Sequence, residues 1–168
     1  MKISIGRAKD WSSHIPMLIK TIQGSTGPVL EIGAGMYSTP IIHWLCKDLG
    51  RRIVTYENDP VFYGFARSFQ CRTHIVRKVD NWDDMDFKTH WGVVLIDHVD
   101  NRRGIEAINL KDNADYIILH DSTDDGLMPD GKYRYKEIWK YFKYRYNYIN
   151  SAVHTSVVSN FKDLSWLN

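Results

Sequence analysis

Two short apolar runs end in acid and imidazole side chains. WGVVLID, residues 91–97, runs into His98, and YIILHD, residues 116–121, closes on His120 and Asp121. Unbroken apolar runs of this length read as buried parallel strands, so both pairs fall at strand ends, where open α/β sheets hold ligands. Asp97, His98, His120 and Asp121 are therefore the candidate catalytic residues. A hard divalent ion such as Mg²⁺ would take oxygen ligands from Asp97 and Asp121 and hold a substrate diol. Imidazole ligation would favour a softer ion such as Mn²⁺, Co²⁺ or Zn²⁺. Without a metal, His98 or His120 would accept a hydroxyl proton, because imidazole titrates near neutral pH. The competing reading is structural: solvated or capping aspartates beside hydrogen-bonded packing histidines.

A second constellation lies upstream. Val29, Leu30 and Ile32 make a short strand carrying Glu31, followed by Gly33 and Gly35, which permit a sharp turn and close approach to a ligand. Ser38 or Thr39 is placed to cap the next helix, with Pro40 in its first turn. The run RIVTYENDP, residues 52–60, then forms a second strand ending in Glu57, 22 residues beyond Gly35. An acid there can accept both hydroxyls of a ribose. This is a nucleoside-binding βαβ pattern. An NAD site would want a third glycine, where Ser38 stands, and has no use for Glu31; a cationic ligand does.

The elements that must position these residues follow from periodicity. Ile15, Leu18, Ile19 and Ile22 lie at helical spacing, with Gly24 as a stop. Helices are expected over about 39–49, 60–69, 102–110 and 132–143, and strands over about 28–32, 52–57, 73–78, 91–97 and 116–121. Two β-rich stretches, about 144–150 and 153–159, finish the chain, and residues 122–131 read as a polar loop. All 168 residues form one domain, with 1–27 outside the nucleoside unit and available as a lid through Trp11 and His14.

The acid followed by Gly-x-Gly at a strand end (Glu31, Gly33, Gly35) resembles the first motif of the class I S-adenosylmethionine-dependent methyltransferases. The resemblance extends over most of the chain in the order of its elements, with Tyr37 standing where many members carry another glycine. It implies a three-layer, Rossmann-like α/β fold whose seven-stranded, mostly parallel sheet has an antiparallel terminal strand. It also implies S-adenosylmethionine as cofactor, with Glu31 complementing the donor's positive charges and Glu57 its ribose. Asp80 would face the adenine amino group and Trp82 would stack on the ring; a loop acid beside a core tryptophan is the plainer alternative. Gly33, Gly35, Ser38 and Asp97 complete the expected cofactor set. The strand-end pairs are similar to those of metal-dependent O-methyltransferases, several of which carry an acid after strand four and His-Asp or Asp-Asp after strand five; His98 stands where many of them have glycine.

Other features bound the partners. A net charge of +2 is weak for a nucleic-acid protein, and the two cysteines form no CxxC pair, which suits a reducing, cytoplasmic setting. No apolar run reaches the roughly 18–20 residues of a membrane span. Asp97-His98-Val99-Asp100 lacks the Pro-Pro-aromatic motif of the resembled DNA amino-methylating enzymes, and no Pro-Cys serves pyrimidine attack, so DNA is not expected. Arg102 and Arg103 open a helix against its macrodipole, which calls for an anionic partner or for pairing with Asp100 or Glu106. Residues 132–148 interleave basic and aromatic side chains, either as a helix core with a solvated face or as an RNA surface. Ten Tyr and six Trp in so short a chain leave room for a homodimer contact. The expected function is O-methylation of a small-molecule or sugar hydroxyl. RNA methylation and a non-catalytic nucleoside-binding module are the alternatives.

Overall fold

Seven strands in the order β3-β2-β1-β4-β5-β7-β6 form one sheet in the computed structural model, which describes residues 11–98, 101–122, 133–151 and 153–168. The strands are β1 Val29–Ile32, β2 Ile53–Glu57, β3 His74–Lys78, β4 Trp91–Ile96, β5 Ala114–His120, β6 Tyr144–Tyr148 and β7 Thr155–Ser159. The first five run parallel, and β7 lies antiparallel between β5 and β6. The strand order reverses between β1 and β4, which places the ligand crevice at their carboxyl ends. The α/β architecture and its antiparallel terminal strand are as expected.

Among the described residues, five helices cover the faces: α1 Ile15–Gln23, α2 Thr39–Asp48, α3 Pro60–Ala66, α4 Arg103–Leu110 and α5 Tyr135–Ile138. Strand alternation assigns the layers. Val93 and Leu95 share one apolar cluster with Met17, Leu18 and Ile22 of α1 and Ile42 of α2. Val94 and Ile96 share the other with Ala107 and Leu110 of α4. The N-terminal helix α1 is thus part of the core. Among the described residues, no helix is long and apolar enough to cross a membrane.

The helix expected over 132–143 is shorter. After α5 the chain makes a single 3₁₀ turn, Trp139–Tyr141, and then enters the edge strand β6. The basic-aromatic alternation is in large part a strand period: Tyr144, Tyr146 and Tyr148 pack half-buried on the α1 side while Arg145 and Asn147 face solvent. Arg145 stacks over Trp139 at 3.7 Å. The polar loop expected at 122–131 falls, beyond Ser122, outside the described residues. Cys46 is buried and Cys71 exposed, both as free thiols.

Gly33 shows why the turn after β1 needs glycine. Its φ is +90°, and a Cβ there would lie 2.5 Å from the His98 backbone nitrogen. The close approach is to the end of β4, not to a ligand. Gly33→Ala is expected to cost more than about 2 kcal/mol, from left-handed strain together with the displaced strand end. Urea denaturation checks this, and a loss below about 0.5 kcal/mol would refute it.

Candidate functional site

Register decides which strand-end residues meet. β4 and β5 pair with Ile96 opposite Leu119, so continuing the ladder sets Asp97 beside His120 and His98 beside Asp121. By alternation Asp97 and His120 follow Leu95 and Ile118 toward α1, whereas His98 follows Ile96 toward α4. The side chains obey this rule. Asp97 Oδ1 lies 2.8 Å from His120 Nδ1, and His120 Nε2 lies 2.9 Å from Ser13 Oγ, just before α1. His98 turns the other way, with its Nε2 3.3 Å from Glu106 Oε2 and its ring stacked on Trp82 at 4.5 Å. Glu106 also accepts from Arg102, which pairs with Asp83. His98 therefore acts as a buried strut and not as a base beside His120, although it borders the cavity.

Arg103 answers the question its position posed. Its guanidinium lies 3.1 Å from Asp97 and 3.1 Å from Asp121, and it donates to the carbonyls of His98 and His120. The anion that offsets its unfavourable helix position is the strand-end acid pair itself. Two carboxylates already bridged by a buried cation do not fit the Mg²⁺ site expected between Asp97 and Asp121. Burial alone would raise the Asp97 carboxyl, but the charges of His120 and Arg103 hold it well below the usual range. Burial likewise opposes a charged His120, and Asp97 outweighs it, moving the imidazole upward. His14 has no such compensation: burial, with His120 next, lowers it to about 4.

These residues line one end of a cavity of about 400 Å³ at the switch point. Gly35, Glu57 and Phe62 line the other end. Glu57 closes β2 and is nearly buried. Its Oε2 accepts from Ala34 N at 2.6 Å, and its Oε1 accepts from Asn58 N and Asp59 N at 2.7 Å each. Burial pushes its carboxyl up, and those three backbone donors work against the rise. Both lone pairs of Oε1 are thus engaged, and Oε2 keeps one for a ligand.

Four expected cofactor contacts, Glu31, Asp80, Trp82 and Ser38, are placed elsewhere. Glu31 is sealed beneath α2, on the face opposite Leu30 and Ile32, and accepts from Thr39 Oγ1 at 2.9 Å and Thr55 Oγ1 at 2.8 Å. It anchors the turn and makes no cavity wall. Asp80 is almost fully exposed beside Lys78, and Trp82 packs behind His98. Ser38 is buried, and Thr39 rather than Ser38 meets the turn, accepting from Gly35 N at 3.1 Å. Sequence reasoning missed Ser13, which carries no local signal, and Phe62, which looks like an ordinary helix residue.

Burial pushes the Glu31 carboxyl up to about 7, against the hydrogen bonds from its hydroxyl neighbours. A raised carboxyl contributes stability that is fully present below its unfolded value and lost as pH rises through the folded one. Glu31→Gln is therefore expected to gain on the parent, by on the order of 3 kcal/mol, as pH rises from about 5 to about 8. Urea denaturation across that window checks it, and parallel curves for the two proteins would refute it.

No protein-family profile matches the sequence, and no curated protein does. Solved structures do match in fold. An O-methyltransferase from Bacillus cereus in complex with SAH is 20% identical, covering 94% of this chain and 82% of its own at a TM-score of 0.59. An RNA methyltransferase from Salinibacter ruber in complex with S-adenosylhomocysteine is 14% identical, covering 89% and 93% at 0.57. A methyltransferase from Pyrococcus furiosus is 13% identical, covering 88% and 83% at 0.57. With its strand order and reversed terminal pair, this chain has the fold of the class I S-adenosylmethionine-dependent methyltransferases.

Proposed function

We propose that the protein transfers a methyl group from S-adenosylmethionine to a hydroxyl of a small molecule or sugar. The observation that carries this reading is the shape of one cavity: Gly35 and Glu57 at one end, Asp97 and His120 at the other, across the sheet's switch point. A volume of about 400 Å³ lies within the range of small-molecule sites. Glu57 fits a ribose, because its carboxylate lines the cavity, is fixed by three backbone donors and still has one acceptor lone pair on Oε2. Gly35 leaves the wall open beside it. When bound, the donor supplies a methyl group already activated by its sulfonium.

The protein's own work is then orientation and proton handling. Holding an acceptor in line can supply on the order of 7–11 kcal/mol. Asp97 orients His120 through Nδ1 and favours a positive charge on the ring, so Nε2 is the atom placed to take the acceptor's proton. Ser13 Oγ, 2.9 Å away, is the group through which that proton passes or which turns aside. Arg103 favours the charged form of Asp97 and fixes both acids in place. Trp11, His14 and Tyr133 close the acceptor end.

Calorimetric titration with S-adenosylhomocysteine and with NAD tests the donor. Micromolar binding of the first and none of the second is expected, and binding of NAD alone would overturn the reading. A methyl-transfer screen over small hydroxylated acceptors and RNA then tests the acceptor. Transfer to RNA only would replace the small-molecule assignment.

A further inference from the structure

At the acceptor end of the cavity, His14, Asp97 and His120 each bring one ligand-type atom within 4.8 Å of the others. The His14 and His120 rings meet edge to face, with centroids 4.8 Å apart. His14 is 1% exposed, and neither of its ring nitrogens has a hydrogen-bond partner among the described residues. Leaving a buried polar group unpaired costs roughly 1–3 kcal/mol. A packing histidine would be expected to find a carbonyl or hydroxyl. An imidazole that is buried, unpaired and set against a second imidazole and a carboxylate has the surroundings of a ligand.

We infer that His14, Asp97 and His120 form a binding site for a transition-metal ion of the Zn²⁺, Co²⁺ or Mn²⁺ kind, in which the ion replaces the proton joining His120 to Asp97. Two nitrogens and one carboxylate oxygen form a donor set of intermediate softness, whereas Mg²⁺ prefers oxygen alone. Three protein ligands leave a further coordination position, and all three residues line the cavity, so that position opens toward it. The supporting bonds are those a ligated histidine and carboxylate ordinarily have. His120 has Ser13 Oγ at Nε2, which leaves Nδ1 for the ion, and Asp97 is braced by Arg103.

Charge sets the ligand class for the open position. Exchange of one proton for a divalent ion adds one positive charge to a cluster of two acids and one arginine. That change favours an anionic or readily deprotonated oxygen, such as a hydroxyl or a diol. Metal binding here does not depend on methyl transfer. Where both hold, the open position would take the acceptor oxygen, whose acidity the ion would raise, and the hydroxyl proton would leave to solvent.

The test is titration of the metal-stripped full-length protein with Zn²⁺ and with Co²⁺ alone, followed by calorimetry and by Co²⁺ visible absorption. One ion per chain, proton release on binding, and an absorption band of a low-coordinate nitrogen-ligated Co²⁺ are expected. His14→Ala, which breaks no hydrogen bond, should weaken binding by about 10-fold or more. His14→Phe, which keeps the volume filled, should do the same, and His90→Ala, at an exposed histidine, should change nothing. Absence of stoichiometric Zn²⁺ or Co²⁺ binding by the parent protein would overturn the site. So would binding that survives both His14 variants undiminished, or Mg²⁺ binding as tight as Zn²⁺. None of these readouts requires a methyl donor, so failure here leaves the donor titration to be judged by itself.

Discussion

Arg103→Met is expected to lower the unfolding free energy by about 3–5 kcal/mol, the usual cost of removing one partner from a buried charge cluster. The guanidinium is 3% exposed and is the cation shared by Asp97 and Asp121. It also crosses between layers, rising from α4 to hold the ends of β4 and β5 through the His98 and His120 carbonyls. Its face lies over Tyr133 at 4.0 Å. For a chain of this size the loss corresponds to a melting point lower by about 10 °C. Methionine fills much of the same volume, so the deficit measures charge and hydrogen bonding more than a cavity. Arg103→Lys keeps the charge without the planar fork and should recover only part of the loss. Adding Asp121→Asn to Arg103→Met should recover part of it too, because one stranded carboxylate is removed. Denaturant unfolding of the four proteins decides the matter. A deficit under about 1 kcal/mol for Arg103→Met would show that the acids do not need their arginine.

Glu57→Gln is expected to weaken S-adenosylhomocysteine binding by about 100-fold or more, roughly 3 kcal/mol. The carboxylate does two jobs at once. It receives Ala34 N on one oxygen and Asn58 N and Asp59 N on the other, which ties the turn after β1 to the loop after β2. It also lines the cavity with one charged acceptor lone pair still free, on Oε2. An amide replaces one oxygen with a donor, which then confronts a backbone N–H, so one side of the tie must open. The ribose hydroxyls meanwhile lose a charged acceptor. Asp80→Asn is the contrast, since Asp80 is exposed beside Lys78 and away from the cavity. That variant should bind within about 2-fold of the parent, well inside the energy of one hydrogen bond. Equal affinities for Glu57→Gln and the parent would remove the ribose assignment, and a large loss in Asp80→Asn would return the adenine to the loop after β3.

Both predictions concern residues whose position was readable from sequence and whose partners were not. Apolar run length and composition placed the strands within a residue or two, because a strand buried on both faces must be apolar throughout. The capping signal held at α3, where Asp59 accepts from Val61 N and Phe62 N, as its place before Pro60 indicates, whereas Ser38 heads α2 without a side-chain cap bond. Glu57 at the end of β2 and Gly35 in the first turn were legible for the same reason. The helix expected near the C-terminus overran, because aromatic residues suit a helix stripe and a strand face alike, and only the neighbour β7 selects the strand.

The sequence by itself determined that Asp97-His98 and His120-Asp121 end two buried strands, since burial and alternation are local properties of the chain. That the strands are neighbours is a fact of the sheet. Which members of those pairs share a face was decided by register. A shift of one residue between β4 and β5 would set His98 beside His120 and send Asp97 to the other side, since side chains alternate with a period of two. The observed pairing of Ile96 with Leu119 joins Asp97 to His120 and gives His98 to Glu106. Only the packing of α1 brings Ser13 and His14 to that pair, and only the rise of Arg103 from the opposite layer fills the space between Asp97 and Asp121. Contacts between residues more than a hundred positions apart, such as Ser13 with His120, depend on the whole fold and leave no pattern in the local sequence.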